Sequence, residues 1–270
     1  MRTFRDLAFD LGKTFAAAAA LTTLTVAPLA HAEDEGEDTE SIVYAQRDIV
    51  LSTGIIRPEG MFSFQQPGAG QDLHIRLDAG ADWAPIKNLQ VGALAVPLSI
   101  SPDADYGDPR LYVRYQLTEG AFQIAPELGF VFNKANILSI GAPMRFKINP
   151  AARIDVSPMF LVDLPGSDDA DGTETRFGLS IPVEVAISLT RSLYLAVMTG
   201  FELADFDGDG VIPLGLQFGY SLPSAADTAW IDLFLDFRFN AFIPLADGAD
   251  VPYTDYWTLG LGARFHFGLE

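Results

Sequence analysis

Asp205, Asp207 and Asp209, followed by Gly210, have the alternate-carboxylate spacing of the first half of a calcium-binding loop, with Ile212 at its apolar position. A complete loop of that kind closes with a bidentate acid at its twelfth position. Here that position is Leu216, inside an apolar alternating stretch, so the expectation is a solvated acidic hairpin with at most weak affinity for calcium and no other cofactor. Beyond the N-terminal region the chain has two histidines, His74 and His266. Each stands among polar residues of an alternating stretch, with no catalytic motif around it, which suits a hydrogen-bonding role better than a general base. There is no cysteine, so thiolate metal sites and disulfide or thiol redox chemistry are excluded.

A third group of chemically capable residues is spread through the chain, always in the same phase. The basic members are Arg76, Arg114, Arg145, Lys147, Arg153, Arg176, Arg238 and Arg264; the acidic ones are Asp78, Glu127, Asp155, Glu184, Glu202, Asp232 and Asp236. Each falls on the polar side of a stretch whose other side is apolar. If those polar sides enclose a lumen, these residues line it, nearly neutral in sum and dense in both signs. Opposed acidic and basic walls are expected, orienting polar solutes with modest ion selectivity.

The stretches that hold these residues alternate with a period of two. In Tyr256 to Phe267, Trp257, Leu259, Leu261, Ala263, Phe265 and Phe267 oppose Tyr256, Thr258, Gly260, Gly262, Arg264 and His266. The same division recurs in 73–83, 110–117, 121–132, 137–148, 152–164, 175–189 and 229–242, and less regularly in 89–100, 193–203 and 212–222. A first strand over 49–65 is interrupted by Arg57, Pro58, Glu59 and Gly60. About twelve strands result, joined alternately by tight turns and by longer, acidic loops. Trp83, Phe132, Tyr220, Trp230 and Trp257 stand near strand ends, as an aromatic girdle would.

The N-terminal 32 residues have the basic start, apolar middle and Ala30-His31-Ala32 exit of a secretory signal. Residues 33–46 begin with EDEGEDTE and read as an acidic, disordered lead-in, which leaves 47–270 for the folded domain. The formal net charge of −19 excludes nucleic acid as a partner, because such binding rests on neutralised phosphates.

A soluble sandwich or lipocalin-like barrel would bury the same apolar faces. Against it stand apolar runs of about 9–11 residues, which fit a tilted membrane-spanning strand, the terminal aromatics, and the scarcity of Lys. With Gly262, Phe265 and Phe267 spaced in its final strand, the chain resembles the Gram-negative outer-membrane β-barrel superfamily. The resemblance implies an all-β, closed, antiparallel up-and-down transmembrane barrel in the cell outer membrane. It also implies contact with outer-membrane lipid and recognition of the C-terminal strand by the barrel-insertion machinery. Enzymes of that superfamily use Ser-His-Asn, acidic-His or Ser-His sets; none is found around His74 or His266, so no enzymatic activity is expected. The expected function is a passive porin-like channel for small solutes or ions. The alternative is a closed barrel with an ion-paired lumen, serving as a structural or surface-binding protein.

Overall fold

The computed structural model describes residues 43–133, 136–164, 175–206, 210–223, 229–245 and 255–268. The signal segment, the acidic run of 33–40, Asp207 and Asp209 lie outside these residues. Among the described residues no helix is long and apolar enough to cross a membrane.

Twelve antiparallel strands close into one barrel. They are β1 (Ile55–Gln66), β2 (His74–Ile86), β3 (Leu89–Ser101), β4 (Arg110–Tyr115), β5 (Phe122–Ile124 and Glu127–Val131) and β6 (Ile137–Gly141 and Met144–Asn149). These are followed by β7 (Ala152–Val156 and Met159–Asp163), β8 (Arg176–Ser188), β9 (Leu193–Leu203), β10 (Gly210–Pro223), β11 (Ala229–Pro244) and β12 (Trp257–Gly268). Each strand pairs with the next, and β12 pairs with β1 from Ile55 opposite Gly268 to Gln66 opposite Trp257, which leaves no free edge. The two-residue turn between β2 and β3 is made possible by Asn88, whose φ of 65° suits a tight hairpin.

Strands β5, β6 and β7 are each broken before a proline, at Pro126, Pro143 and Pro158. Proline has no N–H to give the ladder. Single bonds bridge the breaks instead: Ala125 N donates to the Pro143 carbonyl at 2.8 Å, Ala142 N to that of Pro158 at 3.1 Å, and Ser157 N to that of Pro182 at 2.9 Å. The wall bends there without opening.

Alternation decides which side chain meets which medium. On β12, Leu259, Leu261, Phe265 and Phe267 are exposed on the outside, Leu261 at 64%, whereas Thr258 and His266 are buried within. The same outward apolar surface continues through Leu111, Leu128, Ile140, Phe218 and Leu235. An apolar exterior of this extent is stable only against lipid.

Two expectations are corrected on these walls. Trp83 and Tyr220 do point outward near the turn end, but Trp230 is buried and stacks on the His266 ring at 4.2 Å, so it does not belong to the girdle. Nor does the first strand begin at Ile49; it begins at Ile55, and the chain before it lies inside the barrel.

Interior glycines have a packing reason. Gly92, Gly219 and Gly262 each stand directly across from an aromatic residue of the neighbouring strand, Tyr112, Tyr194 and Phe234 respectively. Each ring lies over its glycine, where an added Cβ would overlap it. Aromatic rings thereby cover bare backbone on the inner wall.

Candidate functional site

The turn end of the lumen is filled by Val43 to Leu51. Tyr44–Gln46 forms one turn of 3-10 helix, closed by Gln46 N donating to the Val43 carbonyl at 2.9 Å. Exposure is 0% at Ala45 and no more than 8% at Val43, Tyr44, Arg47, Ile49, Val50 and Leu51. Residues 43–46 were expected in the disordered lead-in. Instead they are enclosed, because the barrel supplies partners that no neighbour in sequence could.

Those partners come from strands around the wall. Tyr44 stacks on Tyr194 of β9 with ring centroids 3.8 Å apart and planes within 3°. The Arg153 guanidinium lies 4.0 Å from the other side of the Tyr44 ring and donates to the Tyr44 carbonyl. Burial pushes the Tyr44 phenol above its ordinary pKa, so it stays protonated and donates to Glu184 at 3.1 Å. Ala45 N donates to Ser188 Oγ at 3.0 Å.

Arg47 makes the most buried polar contact of the segment. It grips Asp232 of β11 with both terminal nitrogens, at 2.6 and 2.8 Å, and donates to Ser221 of β10 at 3.0 Å. Ser221 donates in turn to Asp232 at 2.7 Å, and His266 Nε2 lies 2.9 Å from the same carboxylate. A buried charge pair is weak evidence for stability, but it fixes one arrangement, since removing either member strands the other.

The remainder of the segment is held by its backbone. Arg145 of β6 donates to the carbonyls of Arg47 and Asp48 at 2.8 and 2.6 Å, and Arg114 of β4 donates to that of Ile49 at 3.1 Å. Gln123 of β5 accepts from Ile49 N at 2.9 Å, and Gln90 of β3 accepts from Leu51 N at 3.0 Å. The Asp48 carboxylate takes Lys147 at 2.6 Å and Gln123. Beyond Gln90 the network runs on through Tyr112 to Asp82, which Arg57 also contacts.

The expected pore-lining residues are therefore brought together as neighbours, not as opposed walls. Arg145 pairs bidentately with Asp155 at 2.7 Å, Arg153 lies 3.2 Å from both Asp155 and Glu184, and Arg114 meets Glu127 at 2.5 Å. Acids and bases pair both within a strand, as Arg153 with Asp155, and between neighbouring strands, as Arg145 with Asp155, so the two signs are not segregated on separate walls. Opposite Asp232 in register, Arg264 pairs with Glu59 at 3.2 Å; nearer the loops, Arg76 pairs with Asp78 at 3.2 Å and Arg238 is 3.9 Å from Asp236. Glu202 is exposed near the loop end of β9. Arg176 lies 3.9 Å from Asp205, a cation beside the one described carboxylate of the Asp205, Asp207, Asp209 set.

Sequence reasoning missed Arg47, Gln90, Gln123, Ser188, Tyr194 and Ser221. The available signal was the apolar content of Val43, Tyr44, Ile49, Val50 and Leu51, which has no strand period and follows a run of acids.

No protein-family model matches the chain, and comparison with curated proteins finds no match in sequence. Among solved structures the fold is similar to that of the KdgM porin, with a TM-score of 0.50 and 8% identity over 79% of this chain and 99% of that one. It is also similar to the KdgM porin in complex with disordered oligogalacturonate, with a TM-score of 0.52, 8% identity and the same coverage. The NanC porin gives 0.52 and 10%, over 79% of this chain and 100% of that one. The chain shares with these structures the fold of a closed antiparallel β-barrel, and its apolar exterior suits a lipid surround.

Proposed function

We propose that this barrel is a channel for small polar solutes whose turn end is held shut by its own Val43–Leu51 segment. The observation that carries the reading is the set of bonds from this one short segment to strands β3 through β11, described above. Twelve strands enclose a wider lumen than the roughly eight-stranded barrel that inward side chains fill by themselves, and the segment occupies its turn end. Above the floor, Arg76, Asp78, Arg238 and Asp236 form an ion-paired cup of low net charge toward the loops, through which solutes of either sign pass with modest selectivity. The similar structures named above are porins, which supports the same class of activity.

The reading is non-enzymatic. The His266 ring is stacked on Trp230 and set against Asp232, whose carboxylate is already engaged by Arg47 and Ser221, which gives this cluster a holding role in the floor. Any calcium at the Asp205 loop is expected to bind at millimolar concentration or above, which calorimetric titration checks.

The experiment is conductance in planar bilayers. The parent chain should give rare or very small steps and Arg47→Glu, which sets two acids against each other in the floor, should give frequent larger ones. If an inserted, heat-modifiable Arg47→Glu barrel stays silent at every salt concentration, the closed structural barrel replaces the channel.

A further inference from the structure

The contacts that hold the floor follow the main chain of the segment more than its side chains. Arginines stand where the segment presents carbonyls: Arg153 at Tyr44, Arg145 at Arg47 and Asp48, Arg114 at Ile49. Neutral acceptors stand where it presents N–H groups: Ser188 at Ala45, Gln123 at Ile49, Gln90 at Leu51. Three side chains are read as well: an aromatic ring against Tyr194, three residues later a guanidinium in the Asp232 and Ser221 fork, and next to it the Asp48 carboxylate against Lys147 and Gln123.

From this complementarity we infer that the turn end of the lumen is a peptide-binding site, occupied here in cis, and that the solute class of the channel is a short peptide. The preferred pattern is an aromatic residue followed three positions later by arginine. The inference rests on the channel reading above and adds the substrate to it.

The balance of charge favours a peptide over an anionic polymer. Arg145 and Arg153 are already neutralised by Asp155 and Glu184, and Arg114 by Glu127, so these guanidiniums offer directed N–H bonds without a net positive field. The uncharged carbonyls of a main chain match that offer. A row of carboxylates or sulfates would meet Glu184, Asp155 and Asp232 along the same path and be repelled.

Tethering explains why the site is filled. A segment joined directly to β1 competes at a high effective concentration, so a free peptide gains entry only as the cis segment leaves. Recognition of peptide and opening of the floor are then one event.

The test uses a fluorescent peptide with the sequence of residues 43–51 and reads its anisotropy with full-length barrels in detergent. The parent should bind it at least about a hundredfold more weakly than Arg47→Glu does, since the tethered segment holds the site. On the Arg47→Glu barrel, the same peptide carrying Arg47→Glu should bind at least about tenfold more weakly than the unmodified one. A second barrel, Asp232→Arg, expels its own segment by the opposite repulsion and should reverse the preference, taking the peptide with Arg47→Asp over the unmodified one.

Reversal between the two barrels supports the site even if one of them refolds poorly. Equal binding of matched and mismatched peptides, or displacement of the peptide by an acidic oligosaccharide of similar length, overturns it. Conductance of the same samples separates the two readings: conducting barrels that bind no peptide sink the peptide inference alone, and peptide-binding barrels that never conduct sink the channel.

Discussion

Asp232 and Asp236 lie four residues apart on β11, face the same lumen and have different surroundings. Asp232 has a side-chain exposure of 0% and holds Arg47, Ser221 and His266 within 3.0 Å. Asp236 is 10% exposed, with Gln217 at 3.5 Å and Arg238 at 3.9 Å, and Arg238 is itself 41% exposed. The first belongs to a floor in which polar groups are matched at short range; the second is also buried, but its partners stand at 3.5 Å and beyond. Two regions of one lumen thus differ: the floor fixes a single arrangement by short bonds, and the pairs above it are longer and looser.

The largest effect should come from cutting the floor at its most buried pair. Asp232→Ala leaves the Arg47 guanidinium buried without its carboxylate and should cost about 3–5 kcal/mol, or release the segment to avoid that cost. Either outcome shows in unfolding by heat in detergent, as a lowered transition or as a new protease-sensitive N-terminus. An unchanged transition with an unchanged N-terminus would place the floor and the cup on equal terms.

The outer and inner faces of β12 give the next contrast. Leu261→Arg puts a charge into lipid and should cost about 2–4 kcal/mol near the midplane. Its neighbour Gly262 faces inward, and polar-face logic alone says that a side chain there is tolerated. The Phe234 ring over Gly262 says otherwise, and even Gly262→Ala should cost about 1–3 kcal/mol through overpacking. Urea-induced unfolding of the two variants checks both figures, and a neutral Gly262→Ala would show that the ring moves aside freely.

The smallest effect is expected in the cup. Asp236→Ala removes long, partly open contacts and should change stability by no more than about 1 kcal/mol. A loss as large as that of Asp232→Ala in the same unfolding assay would erase the distinction between the two regions.

Strand number and facing were legible in the sequence because lipid and lumen impose opposite chemistry on alternate residues, as in Leu233 against Asp232 or Leu261 against Gly262. Trp230 shows that the phase was a better guide than residue type. It shares its phase with Asp232 and His266 and follows them inward, although a tryptophan near a strand end suggests a girdle. The breaks at Pro126, Pro143 and Pro158 were visible as residues, but their alignment across three strands depends on register. Gly262 could not explain itself, since its reason is a ring on the neighbouring strand. The floor was the least legible part. Val43 to Leu51 has no period, and its bonds reach residues far along the chain, from Gln90 to Asp232, so nothing local marks it as folded.

The claim that this segment closes the barrel from within can be tested directly because the chain has no cysteine of its own. Ala45 N meets Ser188 Oγ at 3.0 Å, deep in the floor. In intact outer membranes, Ala45→Cys alone should resist a polar maleimide. Ala45→Cys combined with Ser188→Cys should cross-link under mild oxidation and shift in mobility until reduced. Rapid labelling of the single variant, together with no cross-link in the double one, would mean that the segment lies outside the lumen and that the barrel has no floor.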